Sequence, residues 1–229
     1  MLCAALAFIL ASGVMVGVLA LLVRENSGLL SIDRSAAAWS NDHASGVVTS
    51  SLNVITDLGA TWTVVALAVV LGTIEFLRTR NPWIAPFLVV LLAGEGLLTL
   101  TVKDVVDRVR PTLNPIAHTL GPSFPSGHSA TAAAFYAGAA FLIGRHRRQT
   151  GRALLAALAA TIAVAVAASR VLLDVHWLSD VLAGLALGWS WFLVCTIAFG
   201  GTRLRYGATA RTLRQAAVTG QPQRQRRAT

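Results

Sequence analysis

The architecture of this chain is clearest in residues 83–111, which read WIAPFLVVLLAGEGLLTLTVKDVVDRVRP. Residues 83–102 form an apolar run of the length, roughly 17–25 residues, that crosses a bilayer as a helix. Lys103 follows directly and is the only lysine among the 19 Lys and Arg residues of the chain. It stands seven positions before Arg110, which precedes a proline. The segment therefore predicts a membrane helix whose polar end carries two cations.

Similar apolar runs recur along the whole chain. Hydrophobic residues make up 55% of its 229 residues and charged residues 13%, a composition too apolar for a soluble domain of this size. The pattern predicts an all-α fold, a six-transmembrane-helix bundle, with spans at 2–23, 62–78, 83–102, 128–144, 153–169 and 178–199. The first run has no positive n-region and no small-x-small cleavage site, so we expect a retained helix and not a signal peptide. Cys3 and Cys195 lie in apolar runs and are expected to pack without a disulfide or a metal.

Basic residues are distributed unevenly among the predicted loops. Thirteen of them follow the second span, separate the fourth span from the fifth, or fill the end of the chain, and six lie in the other loops. Because cytoplasmic loops carry the excess of Lys and Arg, we expect both termini in the cytoplasm and the loops 24–61, 103–127 and 170–177 outside. The net charge of +9 reflects this bias and favours anionic lipid headgroups.

Two segments outside the predicted spans differ from them in composition. Residues 1–200 are predicted to form one membrane domain, in which residues 24–61 include an amphipathic helix along the outer surface. Residues 201–229 are predicted to be a basic, disordered cytoplasmic tail. No interleaved aromatic residues or folded module accompany these arginines, so nucleic acid is not expected as a partner. Gly184 and Gly188 form a GxxxG pattern, which predicts close helix packing.

Polar residues gather at three places on the predicted outer side. Lys103 and Arg110 would lie on one helix face, about 10.5 Å apart along the axis, and we expect Pro111 to end that helix at Arg110. The pair could hold one anion or snorkel at the membrane boundary. PSGH, residues 125–128, opens the next apolar run, where free backbone N–H groups and the helix dipole favour phosphate-like anions. Ser126 could equally serve as a helix cap alone.

The third group is SRVLLDVHWLSD, residues 169–180. Asp180 follows His176 by four positions, which makes the two side chains neighbours on a helix surface. A carboxylate there orients the imidazole and frees its other nitrogen to act as a nucleophile or base; a plain His–Asp surface pair is the alternative. Together the three groups supply cations, N–H donors with an acid, and a nucleophile with its orienter, all on one side of the membrane.

These motifs resemble the signatures of a known family. K-x6-RP from Lys103, PSGH from Pro125 and SR-x5-H-x3-D from Ser169 are similar to those of the type 2 phosphatidic acid phosphatase superfamily, also called lipid phosphate phosphatases, and they occur in vanadium haloperoxidases too. The resemblance implies His176 as the nucleophile, Asp180 as its orienter and His128 as the acid for the leaving group. It implies phosphate binding by Lys103, Arg110, Ser126, Gly127 and Arg170.

The resemblance also implies a function: an integral membrane hydrolase that removes phosphate from lipid phosphates or diphosphates at the outer face, through a phosphohistidine and without metal or cofactor. Cations and helix-terminal N–H groups suit this chemistry, since phosphoryl transfer needs in-line positioning and charge stabilisation. The alternatives are a phosphatase specific for polyprenyl diphosphate, a vanadate-dependent haloperoxidase-like enzyme, and a non-catalytic lipid-binding membrane protein. His176 must be neutral and His128 protonated, so activity should peak between their pKa values.

Some positions depart from the pattern or need a separate account. Where family members often have a glycine and an aromatic residue before the nucleophile, this chain has Asp174 and Leu172. Asp174 could raise the pKa of His176 or face solvent. Glu95, inside the third span, is expected to pair with Lys103 or with another inward-facing polar group. For Lys103 our hypothesis is a gap that admits a compact ammonium but not a planar guanidinium.

Overall fold

The computed structural model describes residues 2–25, 29–42, 46–111 and 121–200, and within these ranges the chain forms eight helices without a strand. They are α1 Leu2–Arg24, α2 Leu29–Asp42, α3 Gly46–Asp57, α4 Thr61–Thr79, α5 Ile84–Val106, α6 Gly127–Gly144, α7 Gln149–Leu172 and α8 Leu178–Gly200. The six predicted spans correspond to α1 and α4 to α8, which confirms the all-α class. The predicted tail, 201–229, lies outside the described residues.

Among the described helices, five are long and apolar enough to cross a membrane: α1, α4, α5, α7 and α8. The sixth predicted span, α6, has 18 residues and begins with the polar groups of the PSGH motif. It is the central helix, since α4, α5, α7 and α8 all pack against it. Its many alanines let these neighbours approach closely, and their cover reduces the apolar surface that α6 itself must present to lipid.

The start of α8 packs directly on the start of α6. A Cβ atom at Gly184 would lie 2.5 Å from the carbonyl oxygen of Ser126, and one at Gly188 would collide with that of Ala130. Only glycine therefore allows this approach, and the packing role predicted for the GxxxG pattern is confirmed. The contact is completed where the Ser126 N–H donates to the backbone oxygen of Asp180 at 2.9 Å.

The apolar core between α5, α6 and α8 lies toward the other end of the bundle. Phe87 and Leu91 of α5 are fully buried there, and the ring of Phe87 packs against that of Phe141 at 5.9 Å between centroids. Cys195 is buried in the same cluster, as the sequence predicts, whereas Cys3 is exposed on α1. The polar motifs lie at the opposite ends of these helices.

The predicted outer-surface segment forms two helices, α2 and α3. On α2 the buried side chains are Asp33, Ala37 and Ser40, while Ile32 and Trp39 are each 57% exposed. The polar and small face of α2 thus packs on α7 and α8, while Ile32 and Trp39 lie on its exposed side. The segment does not merely lie on the surface, because Asp33 and Ser40 find hydrogen-bond partners at the ends of those helices.

Helix α5 ends a turn earlier than predicted. Its last residue is Val106, and Asp107 adopts a left-handed conformation with φ of 46° while its N–H donates to Lys103. The chain then runs beside two other segments: the carbonyl of Arg108 accepts from the Ser123 N–H at 2.8 Å, and the carbonyl of Val109 accepts from the Trp177 ring. The prediction of a helix continuing to Arg110 is therefore wrong: the left-handed residue Asp107 ends α5, and the next residues hydrogen-bond to other segments.

Candidate active site

Four helix ends meet at one end of the bundle. They are the C-terminal ends of α5 and α7 and the N-terminal ends of α6 and α8, and all predicted site residues lie on them or in the adjoining loops. His128, in the first turn of α6, interacts electrostatically with Arg170, His176, Arg110 and Lys103. The motifs, which are far apart in the sequence, therefore converge on a single site.

His176 is held between a carboxylate and a guanidinium. Its Nδ1 lies 3.3 Å from Oδ2 of Asp180, and its Nε2 lies 3.1 Å from Nη1 of Arg110. Because a carboxylate accepts and a guanidinium donates, these contacts assign the Nδ1–H tautomer and leave the lone pair on Nε2. The same Asp180 oxygen accepts from the Trp177 N–H at 3.0 Å, which fixes the carboxylate. The predicted pairing of His176 with Asp180 is present, with His176 in the loop just before α8.

Burial keeps His176 neutral. The side chain is 3% exposed, and this desolvation lowers the pKa of His176 from 6.5 to about 4, although the hydrogen bond to Asp180 opposes the shift. Of the two expectations for Asp174, exposure to solvent is wrong, because Asp174 is buried. The carboxylate sits in a left-handed turn after α7, at φ of 56°. A neutral imidazole is the form that can act as a nucleophile.

Arg110 and Lys103 converge through a shared carbonyl and not through a shared helix face. Nζ of Lys103 donates to the Pro122 oxygen at 2.5 Å, and Nη2 of Arg110 reaches the same oxygen at 3.4 Å. Arg110 also donates to the carbonyls of Gly121 and Val175, at 3.0 and 2.8 Å. Burial lowers the pKa of Arg110, and the nearby Asp180 opposes this. Both cations are thus positioned by neutral carbonyls.

Arg170 approaches the site from the end of α7. Its Nη1 donates to the hydroxyl of Thr56, at 3.0 Å, so that α3 takes part in positioning it. Its Nε is buried and has no hydrogen-bond partner among the described residues. A buried donor of this kind is costly unless a ligand satisfies it, which makes Arg170 a candidate anion-binding group.

The start of α6 offers backbone donors beside the site. The first intrahelical bond runs from the Ala130 N–H to Ser126, so the N–H groups of Gly127, His128 and Ser129 have no acceptor within the helix. The Ser126 N–H is already used by the backbone of Asp180, and its hydroxyl accepts from Ser129 at 3.0 Å. Helix geometry therefore assigns the available donors to Gly127 and the two residues after it.

Arg108 and Asp33 are site residues that sequence reasoning missed. Nη1 of Arg108 lies 2.5 Å from Oδ1 of Asp180, and its Nη2 lies 2.7 Å from Asp33. From the sequence alone, Arg108 is only one of the six basic residues in the predicted outer loops. The available signal was on α2, where Asp33 and Ser40 stand seven apart with alanines between them, as on one helix face.

Glu95 lies below the site in the interior of α5. Its two carboxylate oxygens accept from the hydroxyls of Thr99 at 2.6 Å and Thr131 at 2.8 Å. Glu95 is expected from the sequence to pair with Lys103 or with another inward-facing polar group. The structure shows the second, since its partners are the two threonines and Lys103 donates to the Pro122 carbonyl. Within the described ranges no three His, Cys, Asp or Glu side chains are grouped as metal ligands; the groups that converge are cations and imidazoles, which suit an anion.

Comparison with solved structures defines the fold class. The chain resembles the transmembrane PAP2-type phosphatidylglycerolphosphate phosphatase from Bacillus subtilis, with a TM-score of 0.80 and 28% identity over 85% of this chain and 98% of that one. It shares the fold of Aquifex aeolicus LpxE, with a TM-score of 0.55 and 18% identity over 72% and 94% of the two chains. The eight helices thus form a PAP2-type membrane phosphatase fold.

Sequence comparison gives the family. The PAP2 superfamily model matches residues 83–203, which is more than half of the chain. The chain therefore belongs to the PAP2 superfamily. It is 36% identical to phosphatidylglycerophosphatase B of Bacillus subtilis over 58% of this chain and 66% of that protein, and to lipid A 1-phosphatase of Rhizobium etli over 50% and 49%. A third relative, decaprenylphosphoryl-5-phosphoribose phosphatase of Mycobacterium tuberculosis, is 36% identical over 56% and 65%. The chain spans about half to two thirds of the length of these relatives.

Proposed function

We propose that this protein is an integral membrane phosphohydrolase that removes phosphate from lipid phosphates or diphosphates. The observation that carries the proposal is the geometry at His176, whose Nε2 faces Arg110 at 3.1 Å while Asp180 holds Nδ1 at 3.3 Å. A phosphoryl group entering between Nε2 and the guanidinium would meet a nucleophile on one side and a cation on the other. Membership of the PAP2 superfamily supports the same reaction class.

The first half of the reaction would form a phosphohistidine. Nε2 of His176 attacks phosphorus, the bond between phosphorus and the lipid oxygen breaks, and His128 gives its proton to that oxygen. The imidazole becomes cationic, and Asp180 stabilises it through Nδ1–H. Arg110 and Arg170, with the N–H of Gly127, would stabilise the charge on the equatorial oxygens.

The second half would release inorganic phosphate. A water molecule, deprotonated by the now neutral His128, attacks phosphorus, and the bond to His176 breaks. Lys103 and the arginines hold the phosphoryl group through both halves, so the reaction needs no metal ion. The neutral state of His176 that burial imposes prepares the nucleophile before the substrate arrives.

The substrate class follows from the membrane fold and the relatives. The relatives' names specify phosphatidylglycerophosphate, the 1-phosphate of lipid A and decaprenylphosphoryl-5-phosphoribose. We propose phosphatidylglycerol phosphate, phosphatidic acid and polyprenyl diphosphate as the substrates to test. The lipid tail would lie between the helices and the headgroup at the polar helix ends.

We also propose that the site faces the outside of the cell and both termini the cytoplasm. Thirteen basic residues fall in the segments at the end of the bundle opposite the site or follow α8, against six in the others. The positive-inside rule supports this orientation. A cysteine-accessibility experiment with Asp104→Cys, on the site end, and Arg147→Cys, on the opposite end, tests it in whole cells.

The reaction is tested by phosphate release from the three lipids in detergent, with EDTA present. We expect the wild-type protein to be active and His176→Ala to lose activity by at least about a thousandfold. Acid quenching of the wild-type reaction should be avoided, because the proposed N–P bond is labile in acid; an alkaline quench with labelled phosphate should trap label on His176. Phosphate release by His176→Ala at the wild-type rate would reject the nucleophile, and a requirement for added metal would reject the metal-free mechanism.

A further inference from the structure

Helix α2 is fastened to both sides of the loop that carries His176. The hydroxyl of Ser40 donates to the carbonyl of Leu172, the last residue of α7, at 2.8 Å. Oδ1 of Asp33 accepts from the N–H of Ser179, in the first turn of α8, at 2.9 Å. Helix ends leave such groups without partners inside the helix, and α2 satisfies one at each end. It therefore spans the loop that holds the nucleophile.

Arg108 connects α2 to the carboxylate that orients the nucleophile. One guanidinium nitrogen lies 2.7 Å from Oδ2 of Asp33, and the other lies 2.5 Å from Oδ1 of Asp180. The hydroxyl of Ser179 completes the network, since it accepts from Arg108 at 2.7 Å and donates to Asp33 at 2.6 Å. Asp33 is 1% exposed, and Arg108 and Asp180 are also buried, so water does not screen these charges.

The balance of charge in this network affects His176. Two carboxylates and one guanidinium leave one negative charge beside the imidazole. Because Arg108 is shared with Asp33, Asp180 keeps its charge available to Nδ1 of His176. If Asp33 were neutral, Arg108 would pair with Asp180 alone, and the imidazolium formed during attack would lose part of its stabilisation.

We propose that Asp33 and Arg108 are positioning residues for phosphoryl transfer, which they support by fixing the geometry and charge of Asp180. Helix α2, outside the three sequence motifs, then belongs to the active site. The inference rests on the proposed function, because it concerns the same nucleophile. The hydrogen bonds of the His176 ring go to Asp180 and Arg110, so the effect of Asp33 and Arg108 is expected to pass through Asp180.

The test compares two buried carboxylates that each pair with an arginine. Asp33→Asn removes the charge next to the site but keeps an oxygen for the Ser179 N–H. Glu75→Gln is the matched control, since Glu75 pairs with Arg145 at 2.9 Å at the opposite end of the bundle. Per folded protein, we expect Asp33→Asn to lower kcat about tenfold to a hundredfold, the usual loss when a supporting partner is removed, with KM nearly unchanged. Glu75→Gln should leave kcat as in the wild type.

The pH profile separates an effect on the imidazole from a loose helix. The charged and titratable groups that interact electrostatically with His176 are Asp180 on α8, Arg110 before α6, Arg170 on α7 and His128 on α6. Loss of a negative charge disfavours the protonated imidazole, so Asp33→Asn should move the acidic limb of the kcat profile to lower pH, by roughly one unit. A purely structural role would leave that limb in place.

A double variant sharpens the test. Asp33→Asn with Arg108→Gln removes one charge of each sign and restores the net negative charge at Asp180. We expect it to recover part of the kcat that Asp33→Asn loses, whereas a structural role predicts that the two losses add. If Asp33→Asn does not fold, Asp33→Glu replaces it, with a smaller loss of kcat and an unchanged acidic limb.

The outcomes distinguish the two proposals. An inactive wild-type protein on every lipid phosphate overturns both the proposed function and this inference. An active wild type whose Asp33→Asn variant matches Glu75→Gln in kcat and in pH profile overturns the inference alone. The same holds if the double variant shows fully additive losses.

Discussion

The two ends of the bundle differ in how they pair their buried and half-buried cations. At the end away from the site, Arg145 of the turn after α6 donates to Glu75 of α4 at 2.9 Å, so a buried cation meets a buried carboxylate. At the site, Lys103, Arg110 and Arg170 make their hydrogen bonds to carbonyls, a hydroxyl and the ring of His176. None of these three has an ion pair among the described residues. The cation packed inside the first end is thus neutralised by a carboxylate of the chain, whereas the three cations at the site are not.

This difference separates structural charge from functional charge. A buried cation without a counterion costs stability, and a protein keeps it where a ligand will supply the missing charge. Arg108 shows that the site end is able to neutralise a cation, because it pairs there with Asp33 and Asp180. Among the buried and half-buried cations of the described residues, those without an ion pair therefore all lie at the site.

The largest expected effect comes from removing one arginine at each end of the bundle and comparing activity with stability. Arg110→Gln should lower kcat/KM by about a hundredfold to a thousandfold, as for the loss of one group that stabilises a transition-state oxyanion. It should leave the folded state as stable as the wild type or more stable, because it relieves repulsion among three cations. Arg145→Gln should do the reverse, with a loss of roughly 3 kcal/mol from a broken buried pair and unchanged kcat/KM per folded protein. Thermal unfolding in detergent and lipid phosphate hydrolysis measure both; equal effects of the two variants would contradict the contrast.

Acid should destabilise the site end through His176. Its pKa is lowered from 6.5 to about 4 by burial, against the favourable carboxylate of Asp180 and with Arg110, Arg170 and His128 facing the same ring. Between these values the unfolded chain binds the proton and the folded chain does not, so the free energy of unfolding falls as pH is lowered from 6.5 to 4. The contribution of this group is about 3 kcal/mol at most. His176→Gln should show a shallower decline over the same range in urea or thermal unfolding; an unchanged slope would reject the assignment.

The sequence predicts the membrane helices well because apolar length alone determines them, and the ends of α4 and α6 agree with the predicted spans within one residue. It predicts the convergence of the motifs because alternating spans return each motif to the same end. It does not predict where α5 ends, since the chain after the left-handed residue Asp107 is held by contacts with Ser123 and Trp177. It does not reveal Asp33 either, because a charge in an amphipathic segment is normally solvated. Both misses concern residues whose partners are distant in the chain.

The smallest expected effect concerns the choice of the single lysine among the cations. Nζ of Lys103 reaches the Pro122 carbonyl at 2.5 Å, and Arg110 already contacts the same oxygen at 3.4 Å, so little room remains for a planar guanidinium. Lys103→Arg should keep the charge and the fold but lower turnover about tenfold, the loss of one charge-assisted hydrogen bond. Lys103→Met, which removes the charge as well, should lose more, and steady-state kinetics on one lipid phosphate ranks the two. If Lys103→Arg retained most of the wild-type turnover, the site would require a positive charge at this position but not a compact side chain.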